Sequence, residues 1–392
     1  MNHPDQSSAT VAVVINKSKP HLNPSETFLH THISGLSARV LSLIGPLTQR
    51  YSKELDRHAS SQALPFKAAR WAGRKAGLAT VHEQDEQALY RFFRRHRVQA
   101  VLAEYGPTAV ACLAACRRLD LPLIAHFHGF DAYRHSVVEE HAAGYRQLFD
   151  QAAAVIGVSR HMCSRLLELG ANPERLYHNA CGADLDTALQ AQPGQAPPEF
   201  IMVGRLVEKK APLLTLLAFS RVVQAVPEAR LQIIGDGALL AASQQLVRAL
   251  GLTDRVQLHG AQDHEAVAAA LQRARCFVQH SVVAPDGDRE GTPVAVLEAM
   301  AMGLAVVATR HGGIEDVVEH GVTGWLGAEY DVDAMAEAMV RIAQQPDLAA
   351  TIGQQARQHA LQHHTSEHSM NRLNRILQTV LEGRAYIEPF AP

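Results

Sequence analysis

The chain has 392 residues, 47% of them apolar, and its 37 Lys and Arg against 39 Asp and Glu leave a net charge of −2. This length can bury two separate cores, and the balanced charge argues against a nucleic-acid-binding protein. Five cysteines without a Cys-x-x-Cys spacing predict reduced thiols in the core. The polar start at 1–8 and the short apolar run at 11–15 resemble neither a signal peptide nor a membrane span, so we expect a cytoplasmic protein.

Short apolar runs alternate with amphipathic stretches along the whole chain, which predicts parallel sheets covered on both faces. Helical periodicity is clear at 83–97 and 238–250. The Pro- and Gly-containing segment 191–198 is the predicted linker between an N-terminal domain, 1–190, and a C-terminal domain, 199–369. The strands are predicted near 11–16, 41–45, 99–105, 121–128, 152–158, 176–180, 198–204, 230–235, 256–260, 276–281 and 305–309.

The stretch from Glu290 to Gly303 carries the strongest chemical pattern. Pro293 suits the first turn of a helix and Thr292 can cap it, so the helix runs through Glu298. Free N–H groups at a helix start bind phosphate oxygens, and the two carboxylates can hold hydroxyls of a sugar and a ribose beside them. On spacing alone, two surface glutamates beside an ordinary loop-to-helix junction fit equally well.

This stretch, with Gly-Gly-Ile at 312–314 and Gly-Val-Thr-Gly-Trp-Leu at 321–326, resembles the signature of the retaining nucleotide-sugar glycosyltransferases of family 4. The resemblance implies that Glu290 contacts the donor sugar and Glu298 the ribose. It also implies donor contacts at Gly204, Ala261, Gly291, Thr292, Pro293 and Val294.

A second block, 203–210, resembles the family segment whose basic residues hold the donor pyrophosphate, here Arg205 and Lys210. A guanidinium and an ammonium after a buried strand suit the negative charge of a departing diphosphate. Without the resemblance, such residues are most simply a solvated loop. Ala211 stands where the family commonly has glycine.

The N-terminal half resembles the family less closely. The segment 126–131 is similar to the His-Gly-x-Asp motif, whose histidine, here His128, faces the transferred sugar. Because His126 and His128 share one strand face, a metal pair is the alternative. The sequence shows no third ligand at a useful spacing, so we expect no metal there.

Acceptor-side residues are expected at the exits of N-terminal strands. The segment 22–28 resembles the opening of exopolysaccharide members of the family, and 103–107 follows a predicted strand. These segments and the histidine motif give Glu26, Glu104 and Asp131 as acceptor-side candidates. For Glu26, an ordinary helix start is an equally good interpretation.

The resemblance implies the GT-B architecture, α/β with two doubly wound, Rossmann-like domains facing a cleft, and residues 370–392 packing back on the first domain. It implies retaining transfer of a sugar from a UDP- or GDP-linked donor to a glycan acceptor, expected to be lipid-linked, in cell-surface or extracellular polysaccharide synthesis. No cofactor is expected. Donor base, sugar and acceptor cannot be identified from these residues.

Three other functions use similar folds. A nicotinamide enzyme needs Gly-x-Gly-x-x-Gly, whereas no glycine occurs in 17–21 after the first strand and 235–240 lacks the third glycine. A sugar-nucleotide 2-epimerase shares the architecture, but the Glu290 to Glu298 signature disfavours it. A catalytically silent binding protein would not be expected to keep Arg205 and Lys210.

Segment 50–78 carries seven Lys and Arg against two acidic residues, with Phe66 and Trp71 among them. One interpretation is a solvated loop. The other is a peripheral contact with anionic lipid at the inner face of a membrane, at about 1 kcal/mol per basic group.

If the lipid interpretation holds, the protein sediments with anionic vesicles at low salt and is released as rising salt screens the attraction. The triple variant Arg70→Glu, Arg74→Glu, Lys75→Glu remains in the supernatant. Wild-type protein that ignores anionic vesicles at low ionic strength contradicts the lipid contact.

Overall fold

The computed structural model describes residues 9–16, 26–45, 51–52, 57–58, 81–183 and 189–391. Most of the basic segment 50–78 and all of 17–25 therefore lie outside the described residues. The chain divides into two compact units, the first made of Met1–Asn179 and Ser369–Pro392 and the second of Ala180–His368. Within the described ranges, no helix has both the length and the apolar character needed to cross a membrane.

The first unit is built on an eight-stranded sheet with the order β4-β3-β2-β1-β5-β6-β7-β8. Six strands are parallel, while β3 and β4 form a short antiparallel extension at the edge. Their bounds are β1 Thr10–Asn16, β2 Arg39–Gly45, β3 Tyr51–Ser52, β4 Arg57–His58, β5 Ala100–Glu104, β6 Leu123–Phe127, β7 Ala154–Gly157 and β8 Leu176–His178.

Helices cover this sheet, so its central strands are buried on both faces. The C-terminal helix belongs to this unit, since Leu373 and Ile376 share a core with Val11 and Val13 of β1. The helices associated with the unit are Thr27–Gly35, Val81–Arg95, Gly106–Leu119, Phe130–Tyr133, His135–Gln151, Arg160–Glu168 and Ser366–Glu382.

The second unit has a six-stranded parallel sheet with the order β11-β10-β9-β12-β13-β14. The chain starts at the centre with β9, builds outward to β11, and then returns beside β9 with β12. These strands are β9 Glu199–Val203, β10 Arg230–Ile234, β11 Val256–Leu258, β12 Cys276–Gln279, β13 Ala305–Thr309 and β14 Gly324–Gly327. The helices are Pro212–Ala225, Leu240–Ala249, His264–Arg273, Val294–Ala301, Ile314–Val317, Val332–Gln344 and Pro346–His363.

The eleven strands predicted from apolar runs are all present, and the doubly wound α/β class is confirmed. The prediction missed three strands. The strand β14, Gly-Trp-Leu-Gly, has two apolar residues between glycines, and the two-residue strands β3 and β4 are shorter still, so none of them forms a recognisable apolar run. All five cysteines are buried thiols, as predicted.

The segment 191–198, predicted to be a linker, lies inside the second unit. The Ala191 N–H donates to the Met302 carbonyl at 2.7 Å, and the Arg275 side chain donates from Nε to the Ala196 carbonyl at 2.9 Å. These bonds pin the segment to its own unit, which its Pro and Gly content could not reveal.

Ala211 occupies a left-handed backbone conformation, with φ 39° and ψ 53°, between the short 3₁₀ turn Glu208–Lys210 and the helix Pro212–Ala225. A β-carbon is strained in this region and glycine is not. This explains physically why glycine would suit the position better than alanine.

We predict that Ala211→Gly raises the free energy of unfolding of the second unit by about 1 kcal/mol, because it removes the left-handed strain. The matched control is Ala241→Gly on the exposed face of Leu240–Ala249, which should lower it by about 0.5–1 kcal/mol. Chemical denaturation measures both free energies of unfolding. If the two changes destabilise the protein equally, the backbone at Ala211 is not strained.

Candidate active site

The strand order of the second unit places a ligand site at one point. In doubly wound sheets, ligands bind beyond the carboxyl ends of the strands where the order reverses, here between β9 and β12. The segment from Gly204 to Lys210 follows β9, and the segment from His280 to Glu290 follows β12. The basic block and the first glutamate of the sequence signature therefore meet at this switch point.

Lys210 and Glu290 form a buried ion pair there, with Lys210 Nζ 3.1 Å from Glu290 Oε2. Lys210 Nζ also donates to Gln279 Oε1, at the end of β12, at 3.2 Å. Their side chains are only 12% and 6% exposed, so each charge depends on the other for compensation. The pairing fixes the ammonium and the carboxylate side by side.

The second oxygen of Glu290, Oε1, is buried and has no hydrogen-bond partner among the described residues. Burial alone raises the pKa of Glu290, but Lys210 and Lys209 outweigh it and hold the pKa below its ordinary value. Burial lowers the pKa of Lys210, and Glu290 partly opposes the shift. An ionised carboxylate with one unused buried oxygen is suited to accept a hydrogen bond from a ligand hydroxyl.

Lys209 holds the loop that carries Glu290. Its Nζ lies 3.1 Å from Asp288 Oδ1 and donates to the Arg289 carbonyl at 2.9 Å. Two aspartates flanking a glycine, Asp286 and Asp288, are typical of a solvated loop, but Asp288 is only 7% exposed and paired with this lysine. This tertiary contact is not visible in the local sequence.

His311, after β13, supports Glu290 from the other side. The Glu290 N–H donates to His311 Nε2 at 3.2 Å, so the proton of a neutral ring lies on Nδ1, facing Glu329 Oε1 at 2.7 Å. Glu329 also accepts from the Val283 N–H at 2.9 Å. The backbone of the segment from His280 to Glu290 is thus bonded by side chains at Val283 and at Glu290.

The helix after this loop is Val294–Ala301, beginning one residue later than predicted. Thr292 does not cap it, because its Oγ1 accepts from the Cys181 N–H at 2.9 Å and Pro293 is the N-cap residue. Glu298 lies inside the helix, and burial raises its pKa. Gly303, with φ 85°, follows the helix end as predicted.

The other donor-side candidates lie at the same edge of the sheet. Gly204 donates to the Ile234 carbonyl, and Gly235 donates to the carbonyl of Gly260, just before Ala261. A β-carbon at Gly235 would lie 1.8 Å from the Gly204 oxygen, so these loops pack backbone on backbone. Arg205 is exposed and follows β9. Its positive charge lowers the pKa of Lys210, adding to the effect of burial.

The candidates in the first unit also come together, around Glu104 at the end of β5. His128 Nε2 lies 2.6 Å from Glu104 Oε2, and Tyr105 donates to Glu26 Oε1 at 3.2 Å. Glu104 is fully buried; burial raises its pKa, but neighbouring histidines outweigh this and hold it well below the usual range.

Asp131 is fully buried and accepts from the N–H groups of Gly106, His128 and Gly129 at 3.0, 3.0 and 2.8 Å. Burial raises its pKa against the effect of those bonds. The structure therefore shows Asp131 holding the backbone of the His-Gly turn, rather than facing outward as an acceptor-side group.

Sequence reasoning missed Gln279, Lys209, His311, Glu329 and His32. Gln279 and His311 lie at or just after strand ends next to the switch point, so the strand-end rule could have found them. The contacts of Lys209 and Glu329 depend on loop folding and give no local signal.

Comparison with known proteins agrees with this geometry. A family model described as glycosyl transferases group 1 matches residues 189–359, and one described as Glycosyltransferase Family 4 matches 26–187. The chain is 32% identical to the putative colanic acid biosynthesis glycosyltransferase WcaL of Escherichia coli over 296 residues, 73% of this chain and 71% of that protein. The fold is that of a glycosyltransferase, and the chain belongs to glycosyltransferase family 4.

The amylovoran biosynthesis glycosyltransferase AmsK of Erwinia amylovora is 35% identical over 221 residues, 56% of this chain and 54% of that protein. Among solved structures, Anabaena HepE in complex with UDP and glucose superposes with a TM-score of 0.72 at 17% identity, covering 95% of this chain and 100% of that chain. Sucrose-phosphate synthase from Thermosynechococcus elongatus gives 0.75 at 17% identity, covering 96% and 100%. These likenesses show the GT-B fold.

The two glutamates should give different binding phenotypes. Glu298→Ala should weaken binding of the bare nucleoside diphosphate, because donor and product share the ribose contact. Glu290→Ala should weaken or misplace the sugar and leave binding of the bare diphosphate nearly unaffected, because the bound phosphate then compensates the charge of Lys210 in place of the carboxylate. Calorimetry with the bare diphosphate separates them, and equal loss in both variants means that the roles are assigned wrongly.

Proposed function

We propose that the protein is a retaining glycosyltransferase that moves a sugar from a nucleoside diphosphate to a glycan acceptor, expected to be lipid-linked, in exopolysaccharide biosynthesis. The observation that carries the proposal is the buried pair of Lys210 and Glu290 at the switch point, with Glu290 Oε1 unused among the described residues. An ammonium for phosphate and a carboxylate for sugar hydroxyls lie within one hydrogen bond of each other.

Charge development favours this assignment. As the bond between sugar and diphosphate breaks, negative charge grows on the leaving phosphate oxygen, and fixed positive groups stabilise that change. Lys210 is positioned by Gln279 and Glu290, and exposed Arg205 adds a guanidinium fork at the same strand end. Together they supply the positive charge that the departing diphosphate needs.

Retention is proposed to follow front-side departure, in which the leaving phosphate oxygen takes the proton of the acceptor hydroxyl. Glu290 then positions the sugar and does not attack its anomeric carbon. Its ion pair with Lys210 is consistent with this, because a carboxylate shared with an ammonium is a weakened nucleophile. In the first unit, the resemblance assigns His128 to the transferred sugar, and Glu104 holds one ring nitrogen of that histidine.

The place in polysaccharide synthesis is inferred from relatives. WcaL and AmsK are named for the biosynthesis of colanic acid and amylovoran. For the donor, HepE has been crystallised with UDP-glucose, whereas a Mycolicibacterium smegmatis relative, 29% identical over 273 residues, is named as GDP-mannose-dependent. UDP- and GDP-sugars are therefore the first donors to test.

Donor hydrolysis across a panel of UDP-, GDP- and ADP-sugars tests the proposal. At least one donor should be turned over, and NMR should show its anomeric configuration retained in the first product. Lys210→Ala or Arg205→Ala should lower turnover about a hundredfold, as expected for loss of one charge-stabilising donor. The control is Arg248→Ala on an exposed helix face, which should leave turnover unchanged. If turnover falls less than threefold in both Lys210→Ala and Arg205→Ala, the assignment is overturned.

Turnover should not depend on added divalent ions, since Lys210 and Arg205 already meet the diphosphate. Asp-x-Asp, the metal-binding motif of the other large glycosyltransferase fold, occurs in this sequence at 184–186, 286–288 and 331–333. The first pair lies outside the described residues, Asp288 is paired with Lys209, and Asp331 caps the helix Val332–Gln344. Activity should survive EDTA treatment and should not rise with Mg²⁺ or Mn²⁺. Complete loss on chelation, restored by either ion, refutes this expectation.

A further inference from the structure

Three histidines converge on one carboxylate inside the first unit. His32 comes from the helix Thr27–Gly35, Glu104 from the end of β5, and His126 and His128 from the end of β6 and the turn after it. His32 Nδ1 lies 2.8 Å from Glu104 Oε1. His126 Nδ1 and His128 Nε2 lie 3.3 Å and 2.6 Å from Glu104 Oε2. The sequence predicted only the pairing of His126 with His128, and the fold brings His32 and Glu104 to this pair.

His126 is the unusual member of the cluster. It is 0% exposed, and neither ring nitrogen has a hydrogen-bond partner among the described residues. Its Nδ1 points toward Glu104, but the contact lacks hydrogen-bond geometry. A buried imidazole with both nitrogens unpaired is costly, so a group that bonds Nδ1 would remove part of this cost.

The donor set has the composition of a transition-metal site. One ligand atom each from His32, Glu104 and His126 lie within 4.8 Å of one another, and all three residues are buried. Two imidazoles and a carboxylate match the preferences of zinc, whereas Mg²⁺ and Ca²⁺ favour all-oxygen sites. Around one zinc ion, three such atoms would each lie about 2.0–2.2 Å from the metal.

We propose that His32, Glu104 and His126 form a zinc-class metal site in the first unit. Glu104 binds the ion through Oε1 and keeps Oε2 for His128, as carboxylates often bridge a metal and a neighbouring imidazole. The ion ties the helix Thr27–Gly35 to the ends of β5 and β6. Three protein ligands leave the fourth position of a tetrahedron to a water molecule. The ion takes no part in the departure of the diphosphate, so the proposal does not depend on the proposed function.

The buried position predicts slow exchange with EDTA, which is compatible with activity that survives chelation. The test therefore compares untagged full-length protein from zinc-supplemented and zinc-depleted cultures by elemental analysis after desalting. We expect about one zinc per chain from the first culture. Zinc added to the depleted protein should bind with the same stoichiometry and raise its unfolding temperature by about 5–10 °C at a hundredfold excess over Kd.

Variants locate the ion. His126→Ala and His32→Gln should each lose at least nine-tenths of the zinc. The control is His359→Gln with His364→Gln, a second histidine pair in the second unit whose Nε2 atoms lie 3.3 Å apart, which should keep it. If His126→Ala fails to fold, adding zinc back to the zinc-depleted wild type still tests whether the protein binds the metal. Cobalt added in place of zinc should then give the absorption spectrum of a tetrahedral site with nitrogen and oxygen ligands.

Two results would overturn the proposal. One is wild-type protein that retains less than a tenth of a zinc per chain after zinc incubation and desalting. The other is zinc that remains in folded His126→Ala and His32→Gln but is lost from the His359 and His364 variant, which would place the ion in the second unit.

Discussion

The buried contact between Lys210 and Glu290 is the interaction on which the proposed donor site depends. Neither charge is stable in this position alone, since removing either partner would leave an uncompensated charge away from water. The pair exists because β9 and β12 are neighbours in the sheet although most of the second unit's first half separates them in the chain. The reversal of strand order thus creates both the site and the need for the ion pair.

The surroundings of the pair limit its movement. Lys209 bonds the loop before Glu290, His311 accepts from the Glu290 backbone, and Gln279 accepts from Lys210. Each of these bonds is made by a side chain from a different strand end or loop. A site held in this way is preorganised, because ligand binding does not have to order its side chains. In the proposed reaction, its charged groups would already be in place when negative charge develops on the leaving group.

Strand positions were predictable from sequence because buried parallel strands are continuous apolar runs, whereas β14 is too short and too rich in glycine to form one. A local signature predicts the two glutamates, Arg205 and Lys210 as site residues, and the structure places Glu290 and Lys210 in contact. The roles of Lys209 and His311 were not, because each depends on a contact between segments distant in sequence. The unpredicted contacts of segment 191–198 and the missing Thr292 cap have a similar origin: composition does not show whether a backbone group or hydroxyl is bonded elsewhere.

A double-mutant cycle on donor turnover tests the pairing of Lys210 and Glu290 most directly. Lys210→Ala, Glu290→Gln and the double variant are compared with wild type under single-turnover conditions. If the two side chains act on the donor as one unit, the double variant is at least tenfold more active than the product of the two single losses predicts, about 1.4 kcal/mol of coupling. Additive losses, within about a factor of two, would contradict the account.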